Sequence, residues 1–283
     1  MKDWSETRAA IAALGYDLGP DVLQATRALF VEEHQAFADV APPPVGDLSY
    51  GEHPRQCLDV YEPQSAQEPA PVMVWVHGGG FLKGAKSDPG HPFEAHVGRF
   101  AARNGFLGVV IGYRLAPDDV WPSGPEDLSL VVDWLNSNAS DYGGDPERIV
   151  LTGTSAGAAH IAGYLQRRVG NEGIRGVALL SGLYGFTQLE DRDRLYYAKD
   201  PGQDNAQLPR QTMIETGVPL FAACAEFDLP RFQAETLGLI QARLQHHGHM
   251  PRSTIAVGHN HYSIGCHLGC SDSRLSGEIV AFA

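Results

Sequence analysis

The chain has 283 residues, 43% hydrophobic and 19% charged, a globular balance with room for one large α/β domain. A formal net charge of -13 disfavours nucleic acid or an anionic membrane surface as a partner, and its spread along the chain reads as solubility. No apolar run approaches the roughly 20 residues that a membrane span needs. The first residues lack the basic start and apolar stretch of a secretory signal, so a cytoplasmic location is expected.

Residues 1–45 read as a helical arm. Asp21 is placed to cap a helix running through Leu23, Leu29, Phe30 and Phe37, and Ala41-Pro42-Pro43-Pro44 ends it. Its apolar content is too small for an independent core, so it is expected to lie over the functional site of a domain spanning 46–283. Gln56 to Tyr61 forms an early strand, antiparallel and near a sheet edge. Pro71 to Val76 is a near-continuous apolar run, the pattern of a strand buried on both faces. Further strands are expected at 107–111, 149–151, 177–180, 218–223 and 254–257, with helices near 91–104, 125–138, 156–168, 230–246 and 271–282. This alternation predicts an α/β fold: a doubly wound, mostly parallel sheet with ligands at the carboxyl ends of its strands. The polar segment 184–213 is either a lid beside the site or a solvated loop. Cys57 and Cys224 fall inside strands as small apolar residues, and Cys266 and Cys270 have the spacing of one helix face. Nothing in the four cysteines suggests a disulfide framework or a zinc site.

Two motifs sit where this sheet would place chemistry. Gly153-Thr154-Ser155-Ala156-Gly157 lies between a strand and a helix, the context that gives G-x-S-x-G its meaning. The turn pushes the Ser155 hydroxyl above the strand ends and turns the Ala156 amide toward a developing negative charge. Upstream, His77-Gly78-Gly79-Gly80-Phe81 follows another strand and has the form of an oxyanion loop. A serine hydroxyl is a poor nucleophile alone, so a base and a group to orient that base must follow in the order serine, acid, histidine. Asp228, in the loop after the next-to-last strand, is the preferred acid, with Glu226 as alternative and helix capping as the non-catalytic reading. After the last strand comes Gly258-His259-Asn260-His261-Tyr262, where His261 is preferred as base and His259 competes. His91, His96, His160 and His267 read as structural, and His246-His247-Gly248-His249 as a solvated turn. No cofactor or metal is called for.

Over about residues 55–283 the chain resembles the hormone-sensitive-lipase-like esterases of the α/β-hydrolase superfamily. The matching pieces are the His77–Phe81 loop, Tyr113-Arg114-Leu115-Ala116-Pro117, Pro125-Glu126-Asp127 and the Ser155 pentapeptide. Ser181-Gly182-Leu183-Tyr184, Asp228-Leu229-Pro230 and the late histidine segment are more similar to the arylformamidase and feruloyl-esterase-like branch. The resemblance implies a triad of Ser155, Asp228 and His261, with Gly79, Gly80 and Ala156 as oxyanion donors. It implies that the Tyr113–Pro117 segment supports the oxyanion loop. Thr154 stands where an acidic residue is common, and Asp118 where glutamate often follows the proline. The expected reaction is hydrolysis of short-chain carboxylic esters, with small-molecule ester and water as partners and a homodimer as one possible assembly. A formyl amidase with the same triad, a non-catalytic binding protein on the same fold and an interfacial lipase are the competing readings. Phe81, Trp121, Tyr184 and Tyr262 are candidate pocket liners, each with a plain core role as its alternative.

Overall fold

The computed structural model describes residues 4–64, 69–168, 173–197 and 207–283. Three short helices come first: α1 (Trp4–Leu14), α2 (Pro20–Ala28) and α3 (Val31–Ala38). Then follow β1 (Val45–Ser49), β2 (Cys57–Tyr61), β3 (Ala70–Val76), α4 (Ala95–Arg103), β4 (Leu107–Ile111) and α5 (Ser123–Asn138). The second half holds β5 (Gly144–Thr154), α6 (Ala156–Arg167), β6 (Ile174–Leu180), α7 (Asp191–Arg194) and α8 (Arg210–Glu215). It ends with β7 (Leu220–Phe227), α9 (Pro230–His247), β8 (Arg252–Asn260), α10 (Ser263–Cys266) and α11 (Arg274–Phe282).

The strands form one sheet in the order β1-β2-β4-β3-β5-β6-β7-β8. β1 and β2 pair antiparallel, β2 pairs antiparallel with β4, and every later pairing is parallel. The apolar run of β3 is continuous because both its faces are covered. Val72, Val74 and Val76 enter one core with Leu128, Val131 and Ile161 of α5 and α6. Met73 and Trp75 enter another with Phe100 of α4 and Leu275 and Ile279 of α11. Helices on both faces of a mostly parallel sheet match the α/β architecture expected from the sequence.

The structure departs from expectation in three places. β1 is a strand the sequence reading missed, because its residues are largely exposed and carry no alternating apolar signal. The single arm helix is two, interrupted at Leu29 and Phe30, and Asp21 lies in the first turn of α2 behind Gly19 rather than capping it. Cys266 ends α10 and Cys270 lies beyond it, so the two do not share a helix. Residues 198–206 of the 184–213 segment lie outside the described residues. Among the described residues no helix is long and apolar enough to cross a membrane.

The arm packs on the carboxyl-terminal elements. Ile11 and Phe30 join Phe93, Cys266 and Cys270 in one apolar cluster. Thr26 Oγ1 accepts from Asn260 Nδ2 at 3.1 Å, and His34 Nε2 donates to the Cys266 carbonyl at 2.7 Å. His34 is one of six histidines buried away from Ser155, with His77, His96, His160, His259 and His267. Burial lowers the pKa of each, to about 4 for His77 and about 3 for His160. Unfolded, these imidazoles titrate near 6.5, so the unfolded chain takes up protons that the folded chain refuses. Their contribution to stability is complete above about pH 6.5 and declines as pH falls, by up to about 1.4 kcal/mol per pH unit for each group. The urea midpoint should therefore hold above about pH 6.5 and drop steadily from there to pH 5; a flat midpoint below pH 6.5 would contradict this assignment.

Candidate active site

Ser155 occupies the turn between β5 and α6 with φ 54° and ψ -119°, a conformation that a non-glycine residue holds only under constraint. Close packing supplies the constraint. A Cβ on Gly157 would lie 2.1 Å from the Val76 carbonyl oxygen of β3, so the start of α6 rests directly on the sheet end. The Ser155 amide donates to the Leu180 carbonyl at 2.8 Å, which ties the turn to β6. Thr154 packs its methyl group between Gly78 and Gly265.

Above this turn three side chains stand in series. Ser155 Oγ donates to His261 Nε2 at 3.0 Å, and His261 Nδ1 donates to Asp228 Oδ1 at 2.6 Å. Asp228 has no exposed surface, and its second oxygen accepts from Ser181 Oγ at 2.5 Å and from the Ala225 amide at 2.7 Å. The Phe232 ring lies against the His261 imidazole, centroids 4.2 Å apart, and limits its swing. The alternatives point elsewhere. Glu226 accepts from the Gly258 amide at 2.7 Å. His259 stacks on His267 at 3.9 Å, meets Ser263 Oγ at 3.1 Å and faces Asp272 at 3.8 Å.

The glycine loop after β3 lies over Ser155. Gly79 has φ 132°, and a Cβ there would collide with the Lys83 carbonyl oxygen, so only glycine fits the turn. The Gly79 and Gly80 amides have no acceptor among the described residues, and Ala156 opens α6, where a helix leaves its first amides unpaired. The loop is held from behind by the Tyr113–Pro117 segment. Tyr113 donates from its hydroxyl to the His77 carbonyl at 2.8 Å and stacks on the His77 ring at 4.2 Å. The Ala116 amide donates to the Phe81 carbonyl at 3.0 Å. Arg114 is locked in turn by Asp127, which accepts from its amide at 2.7 Å, from its Nε at 2.8 Å and from Gln56 Nε2 at 2.7 Å.

A cavity of about 460 Å³ opens beside Ser155. Leu18 and Leu23 of the arm, Phe81, Leu183, Phe232 and Tyr262 supply much of its wall. Trp121 and Tyr184 are not among the lining residues. Trp121 packs on Tyr196 and Tyr197, and Tyr184 is fully buried in the core beneath the sheet end. Among the described residues there is no group of three or more histidine, cysteine, aspartate or glutamate side chains able to hold a metal.

Sequence reasoning missed three supporting residues. Ser181, at φ 51°, anchors the far side of Asp228. Glu235 accepts from the amides of Tyr184, Gly185, Phe186 and Thr187 and from the Thr187 hydroxyl, fixing the loop after β6 onto α9. Arg192 lays its guanidinium over Gly80, where a Cβ would meet it at 2.3 Å. The only signal available was Ser181 and its neighbours as a resemblance; Glu235 looks like any helix-face acid.

The contact between α6 and β3 gives a direct test. Gly157→Ala should destabilise the fold by about 1–3 kcal/mol through backbone overpacking and lower the melting temperature by several degrees. An unchanged melting temperature would show that the turn is not wedged against Val76.

Residues 58–201 match the BD-FAE family. Among curated proteins, the chain is 33% identical over 161 residues to a probable carboxylic ester hydrolase, LipM, of Mycobacterium tuberculosis, covering 52% of this chain and 36% of that protein. It is 34% identical over 163 residues to para-nitrobenzyl esterase of Bacillus subtilis, covering 51% and 31%. The aligned part thus spans about a third of the length of these relatives. Among solved structures, a bacterial heroin esterase superposes with a TM-score of 0.69 at 20% identity, covering 98% of this chain and 96% of that one. A putative thioesterase from Silicibacter gives 0.70 at 22% identity, covering 97% of each. At such identities these two likenesses speak for the fold. The family match extends over half of the chain, from the second strand past the serine turn, and by it the chain belongs to the BD-FAE family.

Proposed function

We propose that the protein is a serine esterase that hydrolyses short-chain carboxylic esters through an acyl-enzyme. The observation that carries this reading is the hydrogen-bonded series from Ser155 through His261 to Asp228, at 3.0 and 2.6 Å. In this mechanism His261 Nε2 takes the Ser155 proton as Oγ attacks the ester carbonyl. Asp228 holds His261 in the tautomer that leaves Nε2 free to accept, and stabilises the imidazolium that forms. The amides of Gly79, Gly80 and Ala156 receive the tetrahedral oxyanion; one such donor is worth about 3 kcal/mol. His261 then returns the proton to the departing alcohol, and water repeats the cycle on the acyl-enzyme. No residue in the sequence of steps calls for a cofactor.

The relatives named as ester hydrolases support the choice of ester over amide. The apolar part of the wall, with Leu18, Leu23, Phe81, Leu183 and Phe232, in a cavity of about 460 Å³ favours small acyl groups. A protein that only binds would have no use for a carboxylate buried behind a histidine already aligned on a serine. We also assign residues 1–45 the role of a cap over this cavity, since Leu18 and Leu23 face it.

Ser155→Ala should lower kcat by several orders of magnitude without lowering the melting temperature, and should abolish labelling by a fluorophosphonate probe. Near-normal turnover in that variant would reject the mechanism. Across p-nitrophenyl esters, kcat/KM on acetate and butyrate should exceed that on laurate at least tenfold, and butyrate should be cleaved faster than N-formylkynurenine. A laurate preference would overturn the short-chain assignment.

A further inference from the structure

One stretch of the cavity wall is polar and takes no part in the steps above. Arg27, His91, Glu94 and His96 line it, with Trp75 and Cys266. Glu94 is held at φ 65° and ψ -57°, a left-handed backbone that non-glycine residues adopt rarely and mostly where function requires a side chain to be aimed. Trp75 Nε1 donates to Glu94 Oε2 at 2.7 Å, and no described group donates to the other carboxylate oxygen. Burial raises the pKa of this carboxyl, offset in part by the Trp75 hydrogen bond and the Arg27 charge.

Three neighbouring lining residues carry buried polar atoms without a partner. Arg27 Nε, His91 Nδ1 and His96 Nδ1 are buried and have no hydrogen-bond partner. Arg27 Nη1 donates to His91 Nε2 at 2.9 Å, so the His91 proton sits on Nδ1. His96 Nε2 donates to the Gly265 carbonyl at 3.1 Å, which leaves His96 Nδ1 as an acceptor. Native proteins leave few buried polar atoms unsatisfied, and several on one cavity wall give water or a polar ligand group partners there. The second carboxylate oxygen of Glu94 and Nδ1 of His96 both lack a donor. An alkyl group placed there would strip water from the carboxylate and return nothing, which is how a polar site rejects an apolar isostere.

We propose that Glu94, together with His96, forms a specificity subsite for esters carrying a hydrogen-bond donor, a hydroxyl or a protonated amine, away from the reacting carbonyl. The proposal rests on the esterase reading of the same cavity. The isosteric p-nitrophenyl esters of 3-methylbutyrate, 3-hydroxybutyrate and 3-aminobutyrate test the acyl side. Isoamyl, 3-hydroxybutyl and 3-aminobutyl acetates test the alcohol side. In at least one series the wild-type protein should prefer a donor-bearing ester over its methyl isostere at least tenfold in kcat/KM. Glu94→Met should abolish that preference. A preference for the amine that is also lost in Glu94→Gln identifies an ammonium. A preference for the hydroxyl that survives Glu94→Gln identifies a neutral donor. The proposal is overturned if the methyl isosteres are preferred in both series, or if both variants keep wild-type selectivity. Calorimetric binding of the same esters to Ser155→Ala separates the two levels. Should the esterase reading fail, donor-bearing esters must still bind at least tenfold tighter than their methyl isosteres, and equal binding rejects the subsite.

Discussion

A carboxylate with no exposed surface, Asp228, holds the site together. Removing such a group from water is costly unless donors surround it, and here Ser181, Ala225 and His261 do so from three segments of chain. Each donor is therefore fixed by the same requirement. β6 must end where Ser181 can reach, β7 must turn sharply after Phe227, and the segment after β8 must bring its imidazole back over the sheet. The alignment of His261 on Ser155 follows from satisfying that one buried charge.

The same physical device recurs in the loops around the site. Asp127, also without exposed surface, gathers Arg114 and Gln56 and so braces the Tyr113–Pro117 segment beneath the glycine loop. Glu235 gathers four consecutive amides of the chain leaving β6. These segments have no ladder of their own to satisfy their amides, and a buried acid on a neighbouring helix substitutes for one. Rigidity at a sheet's carboxyl edge is thus achieved with a few charge-assisted hydrogen bonds rather than with regular structure.

The arm and the polar wall meet at the far side of the cavity from these braces. Arg27 comes from α2, His91 and Glu94 from the segment before α4, His96 from its first turn, and Cys266 from α10. The amino-terminal helices therefore do more than cover apolar surface, since one of the charges facing the cavity belongs to them. The cluster of Ile11, Phe30, Phe93, Cys266 and Cys270 anchors that arrangement with ordinary apolar burial.

The layered architecture was legible because it depends on periodicity. β3 shows its burial on two faces as an unbroken apolar run, whereas β1, mostly exposed, left no such mark. The serine turn and the glycine loop were legible for a related reason: both are backbone geometries that only certain residues within a few positions of one another can adopt. The sequence also narrowed the acid and the base to two candidates each by their order along the chain. Choosing between Asp228 and Glu226, or between His261 and His259, depended on which side of a strand end each faced. One or two residues of offset reverse that, and only the packed sheet fixes which of them lies in series with Ser155. The partners of Asp228, the role of Glu235 and the polar wall around Glu94 lay beyond reach for the same cause. They are contacts between residues far apart in the chain, and no local pattern encodes which distant segments the fold will bring together.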